Sequence, residues 1–163
     1  MLPVAPVLYL RPRNTWSKSG APIHLPANQS TLKMAGTMGV VIGRTLSYVA
    51  VNDISIPHES YFRPAIRERC RDGFCVIGAE TTDRLPNEFR TFINDELRYR
   101  ASTADLFRPI DRLISDISEF LKLQPGDILL IGEPPDAPLA HAGDRVRVEI
   151  DGLAPIENEV VQQ

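Results

Sequence analysis

Several stretches of the chain carry a clear hydrophobic pattern. Arg145-Val146-Arg147-Val148-Glu149-Ile150 alternates strictly, which predicts a strand with Val146, Val148 and Ile150 turned inward. Gly39-Val40-Val41-Ile42-Gly43, Tyr48-Val49-Ala50-Val51 and Ile128 to Ile131 are short apolar runs and read as buried strands. Val7 to Leu10 reads as a further short strand. Phe89 to Ile93 and Glu96 to Arg100 flank Asn94-Asp95, the signature of a hairpin. Phe107, Ile110, Leu113, Ile114, Ile117, Phe120 and Leu121 recur at spacings of three and four. That spacing predicts an amphipathic helix of about four turns, capped by Ser102 or Thr103. Ser60 to Arg71 forms a second candidate helix, with Pro64 in its first turn and Arg63, Arg67 and Arg71 on one face. Pro125-Gly126-Asp127 and Asp151-Gly152 read as turns. The sum is one mainly β domain of the α+β class over residues 1–163, a rolled sheet or sandwich with one or two helices.

Composition narrows the function. Eighteen basic residues stand against 21 acidic ones, a net charge of −3, which excludes nucleic-acid binding through bulk positive charge. No apolar run reaches the roughly 18 residues of a membrane span. The opening Met1-Leu2-Pro3-Val4-Ala5-Pro6 lacks the basic and apolar regions of a secretory signal, so a cytoplasmic location is expected. Cys70 and Cys75 are too few for a disulfide framework, and their spacing is not that of a redox pair. The 14 prolines are scattered, as suits short strands joined by many turns.

Four segments carry a resemblance that covers nearly the whole chain from Pro12 onward. They are Val51-Asn52-Asp53-Ile54-Ser55; Tyr61-Phe62-Arg63-Pro64-Ala65-Ile66-Arg67-Glu68-Arg69-Cys70-Arg71-Asp72-Gly73-Phe74; Leu123 to Gly132; and Gly143 to Leu153. In this order they resemble the fumarylacetoacetate hydrolase family, which implies a mixed β-sandwich roll. The Arg-Pro-x-x-Arg…Arg-Asp-Gly segment, Asn14-Thr15 and Ser102 to Asp105 are most similar to the first half or subunit of members from homoprotocatechuate breakdown. The implied activity is decarboxylation of 5-oxopent-3-ene-1,2,5-tricarboxylate or isomerisation of 2-hydroxyhepta-2,4-diene-1,7-dioate. The implied partners are a small di- or tricarboxylate substrate and, in the assembly, further copies of this chain or a second family member.

The resemblance also implies a divalent metal, Mg2+ or Mn2+, that stabilises an enolate as a Lewis acid. Asp53 matches one metal ligand. The family's Glu-x-Glu pair falls on Ala35 and Thr37, so two of three expected carboxylates are replaced. A local reading of Asp53 as a strand-end residue tying backbone N–H groups stands beside the metal reading. Arg69 stands where a family lysine is expected. It is permanently charged, so its catalytic role would be to hold a carboxylate rather than to move a proton. Arg63 and Arg67 are candidate substrate-binding groups, against the alternative of a solvated face paired with Glu59, Glu68 and Asp72. His58, in the loop after Asp53, is a candidate acid or base, against that of a simply exposed loop histidine. Gly132-Glu133-Pro134 replaces a Gly-Thr-Pro, which sets an acid where a carboxylate substrate is expected. Two family segments, an N-terminal piece bearing a His and a Glu and a helix between Gly43 and Tyr48, are expected to be missing. These departures support a second reading, a metal-free non-catalytic partner of a related catalytic subunit.

Overall fold

Alternating burial organises the structure, a computed structural model that describes residues 7–59 and 64–163. The strands are β1 (Trp16–Ser17), β2 (Ile23–Leu25), β3 (Leu32–Val41), β4 (Ser47–Ser55), β5 (Cys75–Thr82), β6 (Glu88–Ile93), β7 (Glu96–Ser102), β8 (Ile128–Leu130), β9 (Leu139–Ala140), β10 (Arg145–Ile150) and β11 (Ile156–Gln162). They form two sheets. The first has the order β1-β5-β4-β3-β8, with β9 also paired to β3; the second runs β2-β11-β10-β6-β7. Neighbours are antiparallel except β1 with β5 and β2 with β11. The helices are α1 (Ile66–Arg69) and α2 (Ile110–Ser118).

The sheets pack face to face. Met34, Met38, Val40, Ala50, Ile54 and Val76 of the first meet Phe89, Val146, Val148, Ile150, Ile156 and Val160 of the second in one buried cluster. Val146, Val148 and Ile150 point inward as the alternation predicts. The hairpin of β6 and β7 also forms, with Asn94 and Asp95 at φ 52° and 66°, the left-handed pair that a tight two-residue turn requires. The outer face of the second sheet carries a ladder of ion pairs. Arg90 meets Glu88, Glu149 and Asp151, while Arg147 meets Asp95 and Glu149.

Elsewhere the elements differ from the pattern. Val7 to Leu10 pairs with no strand and lies largely exposed. The run at Gly39–Gly43 is only the end of β3, and that at Tyr48–Val51 only the start of β4. Ala35-Gly36-Thr37 and Asn52-Asp53, outside those apolar runs, also pair in register as strand. A tight connection joins β3 to β4, since Val41 pairs with Ser47. α2 spans nine residues rather than four turns: Pro109 sits at its N-cap, and Phe107, Phe120 and Leu121 lie exposed beyond its ends. Ser102 caps the 3-10 turn Thr103–Asp105 instead of that helix. The second candidate helix is a single turn, Ile66–Arg69, and its start at residues 60–63 lies outside the described residues. β1, β2, β5, β9 and β11 have no counterpart in the sequence reading. In β11 the inward row is Ile156, Asn158, Val160, so a polar residue interrupts the apolar pattern. Asn158 donates to the carbonyls of Lys18 (2.9 Å) and Ala21 (2.8 Å), which satisfies its buried amide.

The two glycines of β3 mark the closest approaches. A Cβ on Gly36 would stand 2.2 Å from Thr91 Oγ1 and 3.0 Å from Val148, on the face turned to the second sheet. One on Gly39 would meet Ile128 and Val49 on the opposite face. Both surfaces of β3 are therefore covered. Gly36→Ala is expected to lose about 1–3 kcal/mol by overpacking. A thermal melt would register this as a fall of about 2–4 °C per kcal/mol.

Candidate functional site

On the face of the first sheet turned away from the main core, one row crosses three strands. Ala35 of β3 pairs with Asp53 of β4, and Asp53 pairs with Cys75 of β5. Directly paired residues share a face, as do residues two apart on one strand. Ala35, Thr37, Asp53 and Cys75 therefore line one surface, which continues into the buried patch of Val49, Val51 and Cys75. The resemblance sets its three metal ligands at positions 35, 37 and 53, and the register does bring these positions together.

Their chemistry is not that of a metal centre. Asp53 is completely buried. One of its oxygens forms an ion pair with Arg11, whose side chain is itself 7% exposed. The other accepts from the Tyr9 hydroxyl at 2.5 Å and faces Arg69 Nη1 at 3.8 Å. Arg11 also donates to the carbonyls of Ile54 (2.6 Å) and Arg69. These contacts lock the segment before β1 against β4 and α1. Thr37 donates its hydroxyl to the Gly132 carbonyl at 2.8 Å. Cys75 is buried, and burial first, then the Asp53 charge, pushes its thiol up to about 12, so it stays protonated. Among the described residues no group of three His, Cys, Asp or Glu side chains is placed to hold a metal ion. A hard divalent ion needs several oxygen ligands, and here the one carboxylate already has its partners. The residues present do not fit a divalent metal.

The cluster extends through Arg69, which α1 presents to the sheet. The turn is tied down where Ile56 N donates to the Glu68 carbonyl at 2.9 Å. Arg69 is 4% exposed. Its Nη2 bonds Glu133, and its guanidinium lies 4.1 Å over the Tyr9 ring, a cation–π contact. Glu133 takes a second cation, Lys33 Nζ, at 2.5 Å. Burial would raise the Glu133 carboxyl, but its bonds to Lys33 and Arg69 outweigh that and hold it below the usual carboxylate range. Burial and then Asp53 push the Tyr9 phenol up, so it acts as a neutral donor. Burial alone would lower Arg69; the Glu133 and Asp53 carboxylates raise it.

Of the residues singled out in the sequence, Asp53 and Arg69 come together. Arg67 is exposed, and its carbonyl accepts from Arg71 Nε at 3.0 Å, so it takes no part in the cluster. His58 is half-buried, with Nδ1 2.9 Å from the Ile56 carbonyl. Arg63 lies outside the described residues. Glu133, expected to set bare negative charge at the site, is neutralised by two cations. Tyr9, Arg11 and Lys33 were not legible in advance. Their partners lie 44, 42 and 100 positions away along the chain, and no motif links them.

Comparison with known proteins places this geometry. The family model "Fumarylacetoacetate (FAA) hydrolase C-terminal" matches residues 1–161. The 4-hydroxyphenylacetate degradation bifunctional isomerase/decarboxylase of Escherichia coli is 39% identical over 99% of this chain and 41% of its own length. The chain thus spans about two fifths of that relative. The crystal structure of 2-hydroxyhepta-2,4-diene-1,7-dioate isomerase from Mycobacterium marinum superposes with a TM-score of 0.88 at 28% identity, over 99% of this chain and 71% of that one. Maleylpyruvate hydrolase from Sphingobium sp. SYK-6, solved with manganese(II) and pyruvate, gives a TM-score of 0.83 at 26% identity, over 94% of this chain and 64% of that one.

The Glu133 environment gives a pH signature. Its carboxyl is depressed in the folded chain, so the stability it contributes is full above its ordinary value of 4.5 and is lost as pH falls toward the folded value. Glu133→Gln is expected to flatten that acid limb. Denaturant melts taken from neutral pH down through the carboxylate range would show an unchanged slope if the network were not formed.

Proposed function

Since the chain belongs to the fumarylacetoacetate hydrolase family, we propose that it is a subunit of 5-oxopent-3-ene-1,2,5-tricarboxylate decarboxylase / 2-hydroxyhepta-2,4-diene-1,7-dioate isomerase in the catabolism of aromatic compounds. The observation that carries this reading is the 39% identity to the bifunctional isomerase/decarboxylase across 99% of the chain. The substrate class is a small di- or tricarboxylate. In this reading a divalent metal would be held elsewhere in the assembled enzyme and would supply Lewis-acid chemistry there.

This chain's own contribution is a wall of three cations and two acids, Arg11, Lys33 and Arg69 with Asp53 and Glu133. Arg69 is buried and paired with Glu133, so in this reading it takes the substrate carboxylate in exchange for that partner. Arg63 and Arg69 remain the proposed clamp, with His58 as the proposed acid or base. The assembly is a homo-oligomer or a heteromer with a second family member, and the setting is the cytoplasm. Among the described residues no helix is long and apolar enough to cross a membrane.

A second reading is favoured by one specific observation: positions 35 and 37 carry no carboxylate, and Asp53 is held by Arg11. Here the chain is a metal-free, non-catalytic partner that stabilises a related catalytic subunit. A neighbouring gene for a family member with an intact Glu-x-Glu and Asp would fit both readings, and kinetics separate them.

The test is an assay with both substrates, following loss of the dienedioate absorbance and release of CO2. The assembled enzyme is expected to turn over at least one of them, and the isolated chain to be weak or inactive. Arg69→Ala is expected to weaken apparent substrate affinity in the assembly about 10-fold or more, as loss of a charged hydrogen bond does. Unchanged affinity in both Arg63→Ala and Arg69→Ala assemblies with full turnover would favour the non-catalytic reading. An assembly inactive on both substrates would reject the first reading.

A further inference from the structure

The Asp53 carboxylate cannot stand alone where it is. A fully buried carboxylate demands a counter-charge, and a metal centre of the kind implied at positions 35, 37 and 53 would use a divalent ion for that purpose. In this chain a different cation has the place. The Arg11 guanidinium reaches in from the segment before β1 and pairs with Asp53. It is fixed there by two backbone carbonyls, those of Ile54 and Arg69. Arg69 stands 3.8 Å away on the other oxygen, and Tyr9 closes that side as a neutral donor. Counting outward, the three cations Arg11, Lys33 and Arg69 face the two carboxylates Asp53 and Glu133. Arginine does not lose its proton in a protein, so the two cations that face Asp53, Arg11 and Arg69, are permanent. A divalent ion would have to displace a hydrogen-bonded guanidinium and then sit beside a second one.

We propose that Arg11 is a built-in replacement for a divalent metal: its guanidinium takes the Asp53 carboxylate, so this unit keeps its site shape without Mg2+ or Mn2+ and excludes both. The inference deepens the reading above and rests on it only for the premise that a divalent ion belongs to the family's chemistry. The absence of acids at 35 and 37 is then one half of a paired change, and the cation on Asp53 is the other. Restoring the two acids would not by itself restore a metal site.

The experiment titrates Mn2+ into the full chain and follows the free-ion signal by electron paramagnetic resonance, with melting temperature as a second readout. The wild-type chain is expected to leave the Mn2+ signal unchanged and to melt at one temperature in Mn2+ and in EDTA. Ala35→Glu/Thr37→Glu with Arg11 present is expected to bind Mn2+ at least about 10-fold more weakly than the same double variant carrying Arg11→Met, which frees Asp53 as a third carboxylate. Mn2+ binding by wild type that Asp53→Asn abolishes would overturn the proposal. So would equal binding by the double variant with and without Arg11.

If two buried glutamates prevent folding, Arg11→Lys and Arg11→Met carry the comparison. Lysine keeps a cation within reach of Asp53 and should hold most of the wild-type melting temperature. Methionine removes the cation from one Asp53 oxygen, leaving Tyr9 and the more distant Arg69 on the other, and should lower it by about 10 °C. A methionine variant as stable as the lysine one would also overturn the proposal. None of these readouts is turnover. A metal-binding wild type would sink the inference and leave the isomerase/decarboxylase reading standing, and failure of that reading would leave the titration unaffected.

Discussion

A buried carboxylate has to be neutralised, and the first sheet is arranged around that requirement. Asp53 lies near the end of the β3–β4 pair, with no exposure to solvent. The energy of leaving such a charge unpaired is several kcal/mol, a large fraction of what holds a domain of this size together. Everything that meets Asp53 is therefore under constraint. Arg11 must thread from the segment before β1, Tyr9 must turn its hydroxyl inward, and Arg69 must be presented by the single turn of α1. Arg11 in turn ties the Ile54 and Arg69 carbonyls, so one guanidinium fastens three separate parts of the chain.

The same constraint links site to fold. Ala35 and Cys75 flank Asp53 on neighbouring strands because the register across β3, β4 and β5 sets them there. Gly36 allows the opposite face of β3 to press against Thr91 and Val148 of the second sheet. The charged cluster then grows along the surface through Arg69 to Glu133 and Lys33. A scaffold shared with a maleylpyruvate hydrolase solved with manganese(II) thus carries a cation network of its own. The fold preserves the place of the site while the side chains change its chemistry.

How much of this could be read in advance follows from how far each interaction reaches. The hairpin of β6 and β7 and the strand β10 were legible, because turn residues and period-two alternation act between near neighbours. The rest of β3 and β4 was not, because Ala35-Gly36-Thr37 and Asn52-Asp53 carry no continuous apolar run and are held as strand by cross-strand pairing. β11 hid behind Asn158, whose inward amide is satisfied by carbonyls near residue 20. Phe107, Phe120 and Leu121 exaggerated α2, since helical spacing cannot tell buried from exposed apolar residues. In the site, Asp53 and Arg69 stood out through family resemblance. Arg67 stood out through helical spacing, and the structure leaves it exposed. Arg11, Tyr9 and Lys33 gave no signal, because each acts only with a partner distant in sequence. Glu133 looked repulsive in isolation, and its sign is answered by two cations that the linear sequence does not place beside it.

The central claim is that Arg11 and Asp53 act as one unit, and a double-mutant cycle on stability measures it most directly. Arg11→Met, Asp53→Asn and the double variant would be compared with wild type by denaturant unfolding. The account predicts that each single change is strongly destabilising and that the double change restores much of the loss, with a coupling of about 2–3 kcal/mol. Single effects that add to within about 0.5 kcal/mol would mean the pair is not coupled, and would contradict the account.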